Sequence, residues 1–187
     1  MALSNKQRIQ RGFEILAVGL WPFVDEWMSV AMPGNGDWVQ VYQAREGQLH
    51  GGVRKFQPND PAFLLKVLTE NRRIFDKHLS RAELNFASEL RDTRNRWAHN
   101  DGFNAADTYR GLDTMERMLT AVGAVAQADE VRELRVEHQR AQFELDVKKR
   151  AKETPQAGVA GHDLKSWREV LPPHEDVATG NFTASEF

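Results

Sequence analysis

Ser80-Arg81-Ala82-Glu83-Leu84-Asn85-Phe86-Ala87-Ser88-Glu89-Leu90-Arg91-Asp92-Thr93-Arg94-Asn95-Arg96-Trp97-Ala98-His99-Asn100-Asp101-Gly102 reads as one helix with its start and stop spelled out. Ser80 followed by Glu83 is a capping box, in which each side chain bonds the other residue's backbone N–H. At about 100° per residue, Phe86, Leu90 and Trp97 then share a face, as a helix packed on a core requires. Asn100-Asp101-Gly102 supplies the residue types that end helices.

The flanking sequence repeats this grammar. Residues 3 to about 32 carry Ile9, Phe13, Leu16, Leu20, Phe23, Val24 and Trp27 at helical spacing, with Pro22 expected to break or kink the segment into two helices. Pro33-Gly34-Asn35-Gly36 is a stop. Asp37 to Ala44 reads as a short helix, with a strand as the alternative, and Gly47 to Pro58 as a loop around Gly51-Gly52. Asp60-Pro61 opens a helix expected to run to about Leu79. Another begins near Asn104 and carries Tyr109, Leu112, Met115, Met118, Leu119 and Val122. A charged helix from about Asp129 to Lys152 has a weak stripe of Val131, Leu134, Phe143, Leu145 and Val147, expected to place one side on the bundle. From Pro155 the composition turns to Gly, Pro and His, with an anchor at Trp167, Val170 and Leu171 and a last helix starting at Phe182–Phe187. No alternating strand runs or internal repeats occur. The expectation is an all-α bundle of about five to seven helices over residues 1–152, with an irregular linker or tail over 153–187.

Composition narrows the chemistry. The 187 residues contain no cysteine, so thiolate nucleophiles, disulfides and cysteine-ligated metals are absent. No apolar run resembles a signal peptide core or a membrane span, so the expected location is the cytoplasm. The net charge of −2 confines any nucleic-acid surface to a local patch. His162 and His174 have no ligand partners nearby in sequence, and no metal or cofactor is expected.

Chemistry concentrates at the end of the Ser80 helix. Histidine titrates near neutrality, and arginine presents a planar cationic fork to phosphate. Arg91, Asn95 and His99 form a polar stripe at i, i+4 and i+8. Arg94 sits beside Ala87 and Leu90, between that stripe and the core. There its charge calls for a carboxylate from the next helix (Asp107, Asp113 or Glu116) or for a substrate phosphate. Arginine followed after four to six residues by histidine is itself a weak signal, since it occurs six times. A solvated helix face explains most such pairs. Arg94/His99 stands apart because asparagine follows the arginine, Trp97 anchors the turn and His99 closes a capped internal helix. Arg132/His138, by contrast, lies on a helix charged all round.

Arg94-Asn95, three residues, then His99, at the end of a late helix in a small bundle, resembles the HEPN superfamily. More narrowly it is similar to the subtype named after a yeast nuclear RNA-surveillance endonuclease. The similarity runs through Asp107-Thr108-Tyr109-Arg110 and Asp113 to Arg117, then Trp167 to Leu171 and Val177 to Phe182. Bacterial members of that subtype are often the N-terminal module of large ATP-binding proteins in phage-defence islands. No Walker-type loop occurs here, so the chain reads as the N-terminal piece of a longer protein.

The resemblance implies a metal-independent endoribonuclease that works as a homodimer, bringing two Arg/His helices together. Carried over, His99 would transfer protons as a ribose 2′-hydroxyl attacks the adjacent phosphate, Arg94 would stabilise the phosphorane, and Asn95 would orient the imidazole or a phosphate oxygen. Arg91, Arg96 and Asn100 would contact the nucleic-acid backbone, although Arg91 shares the histidine's stripe better than Arg94 does. The implied partners are RNA, with DNA as the other candidate ligand, a second copy, and a downstream ATPase or other defence proteins. The alternative is a non-catalytic module that dimerises or docks nucleic acid for a downstream motor.

Overall fold

A computed structural model describes residues 3–32, 37–50 and 56–153. The stop at 33–36, the glycine pair at 51–52 and the tail with its Trp167 anchor lie outside the described residues. The chain divides into two compact units, Met1–Leu145 and Asp146–Phe187. Of the second, only the last turns of one helix are described. Among the described residues there are seven helices and no strand: α1 (Asn5–Ala31), α2 (Trp38–His50), α3 (Pro61–Glu70), α4 (Arg72–Phe75), α5 (Arg81–Ala98), α6 (Ala105–Ala121) and α7 (Val125–Glu153). The fold is an all-α bundle. No helix among them is long and apolar enough to cross a membrane.

α1 is the central element, packing on α3, α5 and α6, while α5 packs between α3 and α6. Ile9, Leu16, Leu20, Val24 and Met28 are fully buried along α1 and meet Leu64, Leu68, Leu90, Met115 and Leu119 in one core. Each such side chain contributes about 1.5–3 kcal/mol relative to exposure. α1 passes close to α6 at Gly12, where an added Cβ would stand 2.6 Å from Met115 Sδ.

Pro22 does not break α1. It lies in the interior of a single 27-residue helix. The ring and Val18, one turn back, are both exposed, so the carbonyl that loses its N–H partner opens toward water instead of the core. The helix opening at Asp60-Pro61 ends earlier than its apolar pattern predicts. Asn71 Nδ2 donates to the Val67 carbonyl at 2.9 Å, capping α3 with a side chain, and the short α4 follows. The segment at Asp37 is helical and reaches His50, beyond the expected loop boundary. Asp37 Oδ1 accepts from Val39 N–H at its start. Trp38 stacks on Trp21 and Phe63 and donates to Asp25, which fixes α2 on α1 and α3.

The start of α7 is bound to α6. Val131 is fully buried, and Glu116 accepts from Arg132 Nε at 2.8 Å and from Arg135 Nε at 2.9 Å. Burial raises the Glu116 carboxyl, but these two hydrogen bonds and charges outweigh it and hold the group below its ordinary range. The expected stripe does not persist: Val131 and Leu134 face the bundle, whereas Phe143, Leu145 and Val147 are exposed.

Candidate functional site

α5 is built as its sequence reads. Ser80 Oγ accepts from Glu83 N–H and Glu83 Oε2 accepts from Ser80 N–H at 2.6 Å. At the other end His99 is the C-cap, and Asn100 takes the left-handed conformation with φ of 64°. Asn100 N–H then reaches Trp97 O at 3.3 Å and Asp101 N–H reaches Arg96 O at 3.1 Å, the paired bonds of a Schellman stop. Asparagine serves here because its short polar side chain tolerates left-handed backbone. Gly102 shows no such requirement.

The turn from His99 to Asn104 is tied to neighbouring helices. Asn5 Nδ2 donates to Phe103 O at 3.0 Å, and Lys6 Nζ donates to Asn100 Oδ1. Asn104 caps α6 by accepting from Asp107 N–H at 2.8 Å. The site therefore rests on three helix ends, a rigid footing for an exposed histidine.

The three arginines fare differently. Arg91 Nη1 donates to Thr69 Oγ1 at 2.9 Å, and its Nη2 lies 3.5 Å from Glu70 Oε1. Arg96 Nη2 donates to Asp107 Oδ2 at 2.9 Å, and its guanidinium lies over the Phe103 ring at 5.0 Å. The Arg96 hydrogen bond holds the Asp107 carboxyl below the usual carboxylate range, against a smaller opposing effect of burial. Arg94 has neither an ion pair nor a hydrogen bond among the described residues. The carboxylate expected for Arg94 goes to Arg96 instead, because Arg96 lies on the side of α5 that meets the start of α6.

Arg94 lines a cleft of about 250 Å³ together with Trp97, with Phe13 and Glu14 of α1, and with Asp60 and Pro61 at the start of α3. Asn95 and His99 are exposed, and neither side chain makes a hydrogen bond among the described residues. Asn95 does hold His99 in place through its carbonyl, which accepts from His99 N–H at 3.0 Å. The structure thus sets Arg94 and Trp97 in one cleft and leaves Asn95 and His99 on a neighbouring open face. Arg91 and Arg96 are engaged in the scaffold, and Asn100 serves the turn.

Two other buried polar groups continue the apolar faces of their helices, His138 with Val131 and Leu134, and Arg8 with Gly12 and Ile15. His138, on the charged α7, is 1 % exposed, with Nε2 2.9 Å from Ala105 O and Nδ1 unpartnered. Arg8 is also buried, bonded to Leu3 O and to Glu137 Oε1 at 3.3 Å. The charged residues around His138 obscure the periodicity of its face, and the Ala105 carbonyl at the start of α6 is its hydrogen-bond partner. Among the described residues no three His, Asp or Glu side chains cluster as a metal site.

A family model described as Swt1-like HEPN matches residues 11–123, from the first turns of α1 to the turn after α6. No curated protein and no solved structure matches the chain.

Proposed function

Because the chain belongs to the Swt1-like HEPN family, we propose that it is a metal-independent endoribonuclease module that acts as a homodimer. The observation that carries this reading is the selective freedom of Arg94 and His99. In a helix end where Arg91 and Arg96 are bound to carboxylates, Arg94 keeps its guanidinium available for phosphate and His99 keeps its ring open to solvent.

The chemistry follows from these two groups. An imidazole removes the proton of a ribose 2′-hydroxyl, and the oxygen attacks the adjacent phosphorus. Negative charge builds on the phosphorane and is met by the Arg94 guanidinium. The 5′-oxygen leaves with a proton from a second imidazole, supplied by His99 of the partner subunit. The products end in a 2′,3′-cyclic phosphate and a 5′-hydroxyl. Asn95, one turn before His99, orients the imidazole or a phosphate oxygen. Arg91, Arg96 and Asn100, expected as nucleic-acid backbone contacts, instead hold the helix end that presents Arg94 and His99. In this reading the module serves a cytoplasmic bacterial defence protein, beside a downstream ATPase or other defence partners.

Single-stranded RNA and its all-deoxy counterpart, incubated with the protein in excess chelator, test the reading. RNA is expected to be cut and DNA left whole, since DNA lacks the nucleophile. Cleavage that stops with the chelator, or equal cleavage of DNA, contradicts it. Tight RNA binding without cleavage would favour a docking module instead. Sedimentation is expected to give a dimer.

A further inference from the structure

The cleft beside Arg94 holds more than a phosphate contact needs. Trp97 offers aromatic surface, Phe13 closes the cleft as a buried core side chain, and Glu14, Asp60, Gln10 and Asn59 complete the polar lining. Asp60 uses Oδ1 to cap α3, accepting from Ala62 N–H at 2.9 Å, which leaves its other oxygen uncommitted. Glu14 receives hydrogen bonds from Gln10 at 3.2 Å and Arg11 at 3.3 Å, and a carboxylate has lone pairs for more. The Trp97 indole Nε1 is buried and finds no acceptor among the described residues.

We infer that this cleft is a nucleobase pocket selective for guanine, holding the base of the nucleotide whose 3′-phosphate lies at Arg94. The inference rests on the ribonuclease reading for its substrate and adds the base that the site selects. A volume of about 250 Å³ is below the range of drug-sized sites and suits one planar ring system. Two carboxylates in the lining disfavour entry of a phosphate, so the base enters and the phosphate stays with the guanidinium. Carboxylates accept only, so they pair with a base edge that donates from adjacent positions. Guanine presents N1–H and N2–H₂ side by side. Adenine and cytosine set an acceptor nitrogen beside their amino group, and uracil flanks its single N–H with two carbonyls. Each of these turns acceptor toward acceptor, which selects against it. The ring face of any base can stack on Trp97, so affinity is shared while discrimination comes from Glu14 and Asp60.

Calorimetric titration of the full chain with guanosine, adenosine, cytidine and uridine 3′-monophosphates tests the pocket without requiring turnover. Guanosine 3′-monophosphate should bind about tenfold or more tightly than the others, the discrimination typical of one good two-bond base contact. Combining Glu14→Gln with Asp60→Asn should reduce the preference to about threefold or less. Asparagine also caps helices, so the variant is expected to keep its fold, and a thermal melt checks this. Equal affinity for the four nucleotides, or an undiminished preference in a folded variant, overturns the pocket. Guanine preference without RNA cleavage upholds the pocket and removes the ribonuclease reading. Cleavage without preference for guanosine 5′ to the cut does the reverse.

Discussion

Arg96 donates to Asp107 Oδ2 at 2.9 Å across the turn that joins α5 to α6, so the carboxylate at the start of α6 belongs to a scaffold arginine. Arg94, two residues earlier, is left without a partner among the described residues. In the proposed reading, structure and chemistry are thereby divided between neighbours on one helix.

That division predicts opposite phenotypes. Arg94→Ala should abolish RNA cleavage and shift stability by no more than about 0.5 kcal/mol, as for a surface residue outside any network. Arg96→Ala should lower the melting temperature, by less at high salt, because the pair is exposed and screened. Thermal melts of the two variants at low and high salt check this. A large loss of stability in Arg94→Ala would show that its charge is structurally engaged.

Glu116 gives a pH dependence of defined sign. Arg132 and Arg135 outweigh the burial that would raise its carboxyl, so the folded protein holds it below the ordinary value of 4.5. The unfolded chain therefore binds that proton more readily. The stabilisation is complete above the ordinary glutamate value and is lost as pH falls through the depressed folded value. Glu116→Gln should cost about 1–3 kcal/mol at pH 7, the range for hydrogen bonds to charged groups. It should also flatten the decline of the melting temperature below pH 4.5. A parallel decline in both proteins would exclude Glu116 as its source.

The two glycines that let α1 lie against its neighbours should respond unequally to alanine. At Gly19 an added Cβ would stand 2.3 Å from Leu119 Cδ2 and 3.1 Å from Ala124 Cβ. Ala124 Cβ is fixed to its backbone, so Gly19→Ala should destabilise by about 1–3 kcal/mol. At Gly12 the nearest atoms are Met115 Sδ at 2.6 Å and Leu112 Cδ2 at 3.0 Å. Methionine repacks easily, and alanine gains about 1 kcal/mol in helix propensity, so Gly12→Ala should be close to neutral. Chemical denaturation of both variants distinguishes them.

Features set by nearest neighbours along the chain are legible in the amino-acid sequence. Ser80 with Glu83, Asp60 with Pro61, and the caps at Asn100 and Asn104 work through local backbone geometry. Pro22 misleads because its cost depends on which way the orphaned carbonyl faces, and that is a tertiary matter. Asn71 is a local stop of the same kind as those caps, its side chain bonding Val67 O, but the apolar residues Ile74 and Phe75 beyond it extend the helical pattern past the true end. At the candidate site, the order of Arg94, Asn95 and His99 is visible in the sequence. What each arginine binds is not, since Asp107, Glu70 and the cleft wall come from other helices. His138 continues the face of Val131 and Leu134, a periodicity masked by the charged residues around it.

The central claim is that His99 moves the proton of a ribose 2′-hydroxyl. Its most direct test is the chemical identity of RNA ends made by the wild-type chain and by His99→Ala in excess chelator. The wild type should leave 2′,3′-cyclic phosphates. His99→Ala should cut at least about a hundredfold more slowly, the scale of general acid–base catalysis, with an unchanged helical circular dichroism spectrum. Ends carrying 3′-hydroxyl and 5′-phosphate, or full activity in a folded His99→Ala protein, would contradict it.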